Sequence, residues 1–187
     1  MQAIPIIVVL LALLVVVVLA SVIRRRAAAV RAAEMIEGLR LQAFALTPQD
    51  IGVAVESGEI FILVMDIGYP EAVASVVVSS AGDASIYFST GGGVPGGIEH
   101  ENVRLAVSAF LRQAAASRDS FAATSEYPYP VSGNVRFYLR TPEQTLFAEA
   151  LERELREGAG ALAPLYNAGQ NVISELRKGN ASLDHRR

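Results

Sequence analysis

SIYFSTGGGVPGGIEHENVRLAVSAFL, running from Ser85 to Leu111, reads as an alternating strand, a loop with five glycines in seven residues, and an amphipathic helix. In the strand, Ile86 and Phe88 alternate with Ser85, Tyr87 and Ser89, so one face is apolar and the other half-polar. Beyond the loop, a helix starting near Ile98 places Val103, Ala106, Val107, Phe110, Leu111 and Ala114 on one side, a face that must pack on a sheet. The glycines between admit two readings. They free the backbone to take positive φ, so that successive N–H groups converge ahead of the helix as an anion cradle. They also suit a sharp strand-to-helix turn, with Val94-Pro95-Gly96-Gly97 as a type II turn and Gly96 at the positive-φ position. Glu99 and Glu101 favour the turn, because they already supply the negative charge that a phosphate would bring to the helix N-terminus. No Lys-Ser or Lys-Thr follows the last glycine, so this is not a Walker loop. Gly91, Gly92, Gly93, Gly96, Gly97 and His100 are the candidates for binding a small ligand or peptide.

Working outward, three strands are expected before the helix, over Glu59–Asp66, Ala72–Ser79 and Asp83–Thr90. The first is apolar at both alternations, the pattern of a central strand covered on both sides. The short Gly68-Tyr69-Pro70 and Ala81-Gly82 connections favour an antiparallel meander. After a polar, proline-containing passage from Ser117 to Gly133, Val135, Phe137 and Leu139 alternate with Arg136, Tyr138 and Arg140 as a fourth strand. Thr141-Pro142-Glu143-Gln144 then reads either as a capping box launching a helix through Leu155 or as a hairpin turn, with Thr145–Ala150 returning as a fifth strand. Pro164 opens a last helix with Leu165, Tyr166, Gly169, Val172, Ile173 and Leu176 on one face, ended by Gly179-Asn180. The fold class is α+β, with an antiparallel sheet of four or five strands and helices packed on it.

Upstream, Ile4–Ile23 is an unbroken apolar run of about 20 residues, enough to span about 30 Å of hydrocarbon as a helix. It reads as a transmembrane anchor rather than a cleaved signal, because Met1-Gln2-Ala3 carries no basic side chain and Arg24, Arg25 and Arg26 follow the run. Those arginines, as the membrane flank, place the remainder in the cytoplasm of a single-pass inner-membrane protein. Ala27–Leu46 continues as a helical stalk whose apolar residues Val30, Ile36 and Leu39 touch the domain or a second copy. Thr47-Pro48-Gln49-Asp50 starts a short helical piece to about Val55, ended by Ser57-Gly58. The organisation is therefore an anchor over 1–26, a stalk and linker over 27–57, an α+β domain over 58–179 and a flexible tail over 180–187.

Composition narrows the chemistry. Setting Arg24, Arg25 and Arg26 aside from the 16 basic residues leaves 13 against 19 acidic, and such a balance, without a basic and aromatic stripe, argues against nucleic acid as a partner. There is no cysteine, which removes disulfides, thiolate nucleophiles and cysteine zinc sites. The histidines are His100 and His185, the latter in a polar tail, so neither a metal nor a cofactor is expected.

Tyr87, Ser89, Thr90, Gly91, Gly92, Gly93, Gly96, Gly97 and His100, with the Val135–Leu139 strand and the Pro164-Leu165-Tyr166 helix start, resemble a family of small uncharacterised bacterial proteins. The resemblance covers most of Ile60–Arg177. It implies a glycine-containing turn after the fourth strand and hence a hairpin at Thr141, although this chain has no glycine there. It implies no activity.

Ser89, Thr90 and His100 are the catalytic candidates for a hydrolase-like site, with Asp66 and Asp83 as generic partners for the imidazole. No nucleophile elbow surrounds the serine, and a histidine that caps or bridges the loop is the competing reading. Tyr87, Arg136, Tyr138 and Arg140 fall on the same alternation of their strands, a face for an acidic partner or second protomer, or one solvated or half-covered by the stalk. The leading expectation is a membrane-held, non-enzymatic binding or scaffold module that self-associates, with the lipid bilayer and a homo-oligomer or other protein as partners. An enzyme at Ser89, Thr90 and His100 comes second and a small-ligand sensor third.

Overall fold

β1 (Ile62–Gly68) is buried at every position and lies at the centre of the sheet, as its two apolar alternations require. The computed structural model describes the backbone of residues 3–94, 96 and 99–184, and within that range side chains from 19 to 180. β2 (Val73–Ser79), β3 (Ala84–Phe88) and β4 (Gly93–Val94) extend the sheet on one side of β1. β5 (Ala122–Thr124), β6 (Asn134–Arg140) and β7 (Thr145–Leu151) extend it on the other. The order is β4-β3-β2-β1-β6-β7-β5, and every neighbouring pair is antiparallel. Both edges are very short strands, which limits the open backbone offered to other chains.

Alternation along β1 assigns the two faces. Leu63, Met65 and Ile67 point to a core shared with α2 (Glu101–Ala116) and α4 (Ala163–Asp184), where Val107, Phe110, Leu165 and Val172 are buried. α4 approaches closely because residue 169 is glycine: a Cβ there would lie 2.6 Å from Met65 Cε and 3.0 Å from Phe110 Cζ. Ile62 and Val64 point to the opposite face, packed with Ala43, Phe44 and Tyr138. The cover on that side is α1 (Ala3–Ala45), whose Ile36, Arg40, Ala43 and Phe44 are buried at i, i+4, i+7 and i+8. The sheet is thus sandwiched between α2 and α4 on one face and the end of α1 on the other.

Several expectations are corrected. The transmembrane anchor of Ile4–Ile23 is not supported, nor are the single-pass inner-membrane placement and the cytoplasmic location that followed from it: among the described residues no helix is long and apolar enough to cross a membrane. From Leu19 onward α1 carries Arg24, Arg25, Arg26, Arg31, Glu34, Glu37 and Arg40, which leave no apolar window of spanning length. Side chains of Ile4–Val18 lie outside the described residues. Among the described residues the sheet has seven strands, not four or five, because β4 and β5 are edge strands of two and three residues, too short to show an alternation.

Thr47–Val55 is a run of turns without a helix; Asp50 Oδ2 accepts from the Thr47 N–H at 2.8 Å and from its hydroxyl at 2.7 Å, closing the chain on itself. Thr141–Gln144 is a hairpin turn, with the Thr141 N–H donating to the Gln144 carbonyl at 2.9 Å, and helix appears only later as α3 (Glu152–Arg156). α4 runs through Gly179-Asn180 to Asp184. Of the stalk residues, Ile36 is buried at 4% exposure, while Val30 and Leu39 are exposed at 57% and 38%.

Candidate functional site

The glycine loop turns its hydrogen-bonding groups inward. Gly91 and Gly92 take positive φ of 106° and 83°. The Gly91 N–H donates to the Phe88 carbonyl at 2.8 Å, and the Phe88 N–H to the Gly92 carbonyl at 3.1 Å, closing the turn from β3 into β4. Gly93 pairs with Tyr87, where a Cβ would lie 2.2 Å from the Ile86 carbonyl oxygen. Gly96, at φ 53°, donates its N–H to Ser85 Oγ at 3.1 Å. Gly97, together with Pro95 and Ile98, lies outside the described residues. The N–H groups of Gly91 and Gly96 are therefore committed within the loop rather than converging on a point. The loop has a tertiary role as well: a Cβ on Gly91 would sit 2.8 Å from Ala32 Cβ, so this turn abuts α1.

Among the described residues no hydrogen bond joins Ser89, Thr90 and His100. Ser89 Oγ accepts the Val73 N–H at 2.8 Å, and the Ser89 N–H returns to the Val73 carbonyl at 2.9 Å, which ties the end of β3 to the start of β2. Thr90 is exposed. His100 is the N-cap residue of α2 without a side-chain capping bond, and its ring lies on α4, where a Cβ on Gly179 would meet His100 Cδ2 at 3.0 Å. Asp66 belongs to the sheet face that meets α1, opposite the α2 and α4 layer that holds His100, and Asp83 sits in the exposed β2–β3 turn. Ser89→Ala is expected to lower stability by about 1 kcal/mol through the orphaned Val73 N–H, read as a shift in the urea midpoint at constant slope.

The most demanding arrangement of charge lies on the other face. Arg40 is 1% exposed and Asp66 0%, and Arg40 Nε and Nη2 both donate to Asp66 Oδ2, at 3.0 and 2.5 Å. Arg40 Nη1 donates to the Tyr127 carbonyl at 2.8 Å. The guanidinium carbon lies 4.3 Å from the centre of the Tyr129 ring, 5.1 Å from Phe44 and 5.6 Å from Tyr138, so π faces supplement the single carboxylate. Phe44 stacks on Tyr127 at 4.1 Å and meets Tyr138 edge-on at 5.2 Å. Asp66 Oδ1 has no hydrogen-bond partner among the described residues.

Burial pushes the Asp66 carboxyl above its ordinary value, against the pull of Arg40. For Arg40, burial acts to lower the pKa and is outweighed by the hydrogen bonds and charge of Asp66, which hold it above its ordinary value. Burial likewise raises the Tyr129 and Tyr138 phenols.

A strap from Ser125 to Val131 closes this clasp. The Pro128 carbonyl accepts from the Tyr138 hydroxyl at 2.6 Å and from Arg136 Nη1 at 3.2 Å, and Arg136 Nε bonds Glu149 Oε2 at 2.7 Å. Arg140 Nη2 donates to the Leu46 carbonyl at 3.0 Å, holding the end of α1. Tyr87, Arg136, Tyr138 and Arg140 thus do share one face, and the last three serve to hold α1 and the strap in place.

Arg40, Tyr127 and Tyr129 escape a reading of the sequence by periodicity. Their signals are a lone arginine set at helical spacing among Ile36, Ala43 and Phe44, a lone aspartate in an apolar strand, and the Tyr127-Pro128-Tyr129-Pro130 repeat. Arg24, Arg25 and Arg26 stand exposed on α1 away from all of these groups. Set against known proteins, this chain matches no family model, no curated protein and no solved structure.

Proposed function

We propose that this chain is a non-enzymatic scaffold module, in which a long helix is clamped at a set angle to a sandwiched sheet so that partners of the two are held in fixed geometry. The observation that carries this reading is the Arg40–Asp66 clasp. A charged pair taken fully out of water is weak evidence for added stability, and its best-attested use is to specify one arrangement over others. Here it joins α1 to β1, and Tyr127, Tyr129 and Pro128 of the strap close over the junction. The described part of α1 ahead of the clasp, Leu19–Arg31, is exposed apart from the half-buried Ala20, leaving it open to contact.

The absence of cysteine makes a direct test simple, since spin labels at Ala28→Cys and Ser108→Cys in the full chain would report the helix-to-domain distance alone. A single narrow distance distribution is expected, broadened in the Asp66→Asn variant. A broad distribution in the parent protein would refute a fixed helix.

A further inference from the structure

A groove of about 780 Å³ runs along the flank of α2 from Arg104 to Arg118. Its second wall is the Val53–Ile60 segment and the Ser80–Gly82 turn. Val55, Ile60, Leu111 and Ala115 line it with apolar surface, and Arg104, Arg112 and Arg118 add guanidinium groups beside the Glu59 carboxylate.

Arg112 and Arg118 are both held by uncharged groups. Arg112 Nη1 donates to the Ser108 hydroxyl at 2.7 Å and Arg118 Nη1 to the Gly58 carbonyl, both uncharged acceptors, and no carboxylate pairs with either arginine among the described residues. Of the nearby carboxylates, Glu59 lines the groove itself, and both it and Glu143 are held by backbone N–H groups. Glu59 Oε2 accepts the Glu56 N–H at 2.9 Å, and Glu143 Oε2 accepts the Gly58 N–H at 3.2 Å. Arg112 and Arg118, both oriented by neutral groups, outnumber Glu59, the one carboxylate lining the groove among the described residues, and leave it net positive.

We propose that this groove docks an acidic segment of a protein partner, with apolar side chains seated on Leu111 and Ile60 and carboxylates on Arg112 and Arg118. Guanidinium groups match carboxylates in planar, two-pronged geometry, so an extended segment with alternating acidic and apolar residues meets both halves of the groove. A nucleic acid fits poorly because, among the described residues, no aromatic side chain lines the groove for bases to stack on. This goes beyond the scaffold reading and is independent of it: the helix-to-domain distance tests the clasp, and peptide binding tests the groove.

The test is titration of the full chain with a capped, fluorescent hexapeptide of alternating Glu and Leu, with the Gln–Leu counterpart as control. Saturable binding is expected, at least about tenfold tighter than the control, weakened about tenfold by Arg112→Gln with Arg118→Gln and weakened again by added salt. Melting temperatures of the parent and the double variant establish that both fold, and an Ala115→Trp variant supplies a second probe by blocking the apolar wall. Equal affinity for the two peptides, binding unaffected by the double variant, or no binding at all would overturn the proposal.

Discussion

Asp66→Ala is expected to be the most damaging single change in the chain, lowering stability by about 3–5 kcal/mol, because it leaves Arg40 charged in a site that is 1% exposed. Arg40 cannot escape by releasing its proton, since a guanidinium stays protonated at any pH at which the protein is handled. It would keep the Tyr127 carbonyl and three ring faces but no counter-charge. The alternative for the chain is to lift the end of α1 and return Arg40 to water, which exposes Ile36, Ala43 and Phe44 with it.

Unfolding in urea measures the loss. A second variant separates a cost of unpaired charge from a cost of shape. Arg40→Met with Asp66→Leu removes both charges at similar volume, and exchanges of that kind are often neutral in other proteins. Recovery of at least half of the stability lost in Asp66→Ala is expected, short of complete because the Tyr127 carbonyl loses its donor. A double variant as unstable as the single one would show that the clasp acts through shape rather than charge. The double variant should also fold with the α1 angle less sharply defined, visible as a broadened spin-label distance, which a merely stabilising pair would not produce.

Gly68→Ala is expected to cost about 3 kcal/mol, the upper end of the overpacking range, although it adds one methyl group at the end of a strand. A Cβ at residue 68 would lie 2.2 Å from the Val131 carbonyl oxygen and 2.9 Å from its carbonyl carbon. The obstacle is backbone, so no side-chain rotation relieves it. The strap would have to move, and with it the Gly133 N–H that donates to the Gly68 carbonyl at 2.8 Å and Tyr129, which covers Arg40. The variant is therefore predicted to damage the clasp from a distance, and tyrosine fluorescence should change along with the urea midpoint. Gly92→Ala offers a contrast: a Cβ there meets nothing within 4 Å among the described residues, but φ of 83° imposes backbone strain of about 1 kcal/mol. A Gly68→Ala protein no less stable than Gly92→Ala would disprove the packing argument.

Reading the chain by periodicity succeeded where the physics is local. The double apolar alternation of β1 announced a central strand, and the face containing Val103, Val107 and Phe110 announced a helix packed on the sheet, since burial imposes those spacings on any chain that forms the element. The glycine loop was legible as a stretch of positive φ, but the hairpin that Gly91 and Gly92 form between β3 and β4 was not, because the expected turn falls at Val94–Gly97, of which Pro95 and Gly97 lie outside the described residues. Thr141–Gln144 was undecidable because its four residues suit a capping box and a tight turn equally. Pairing of Thr145–Leu151 with β6 over seven positions decides it, and that partner lies outside the local window.

Local spacing accounts for the long strands and the two packing helices with their buried faces. The placement of the charges comes from tertiary contacts. Arg40 meets Asp66 from 26 residues away and the Tyr127 carbonyl from 87, distances over which no spacing rule operates. In isolation an arginine in a helix belongs in water. Only the assembled sheet face, with an aspartate in β1 and a tyrosine-proline strap above it, offers enough hydrogen bonds and ring faces to hold that charge in the interior.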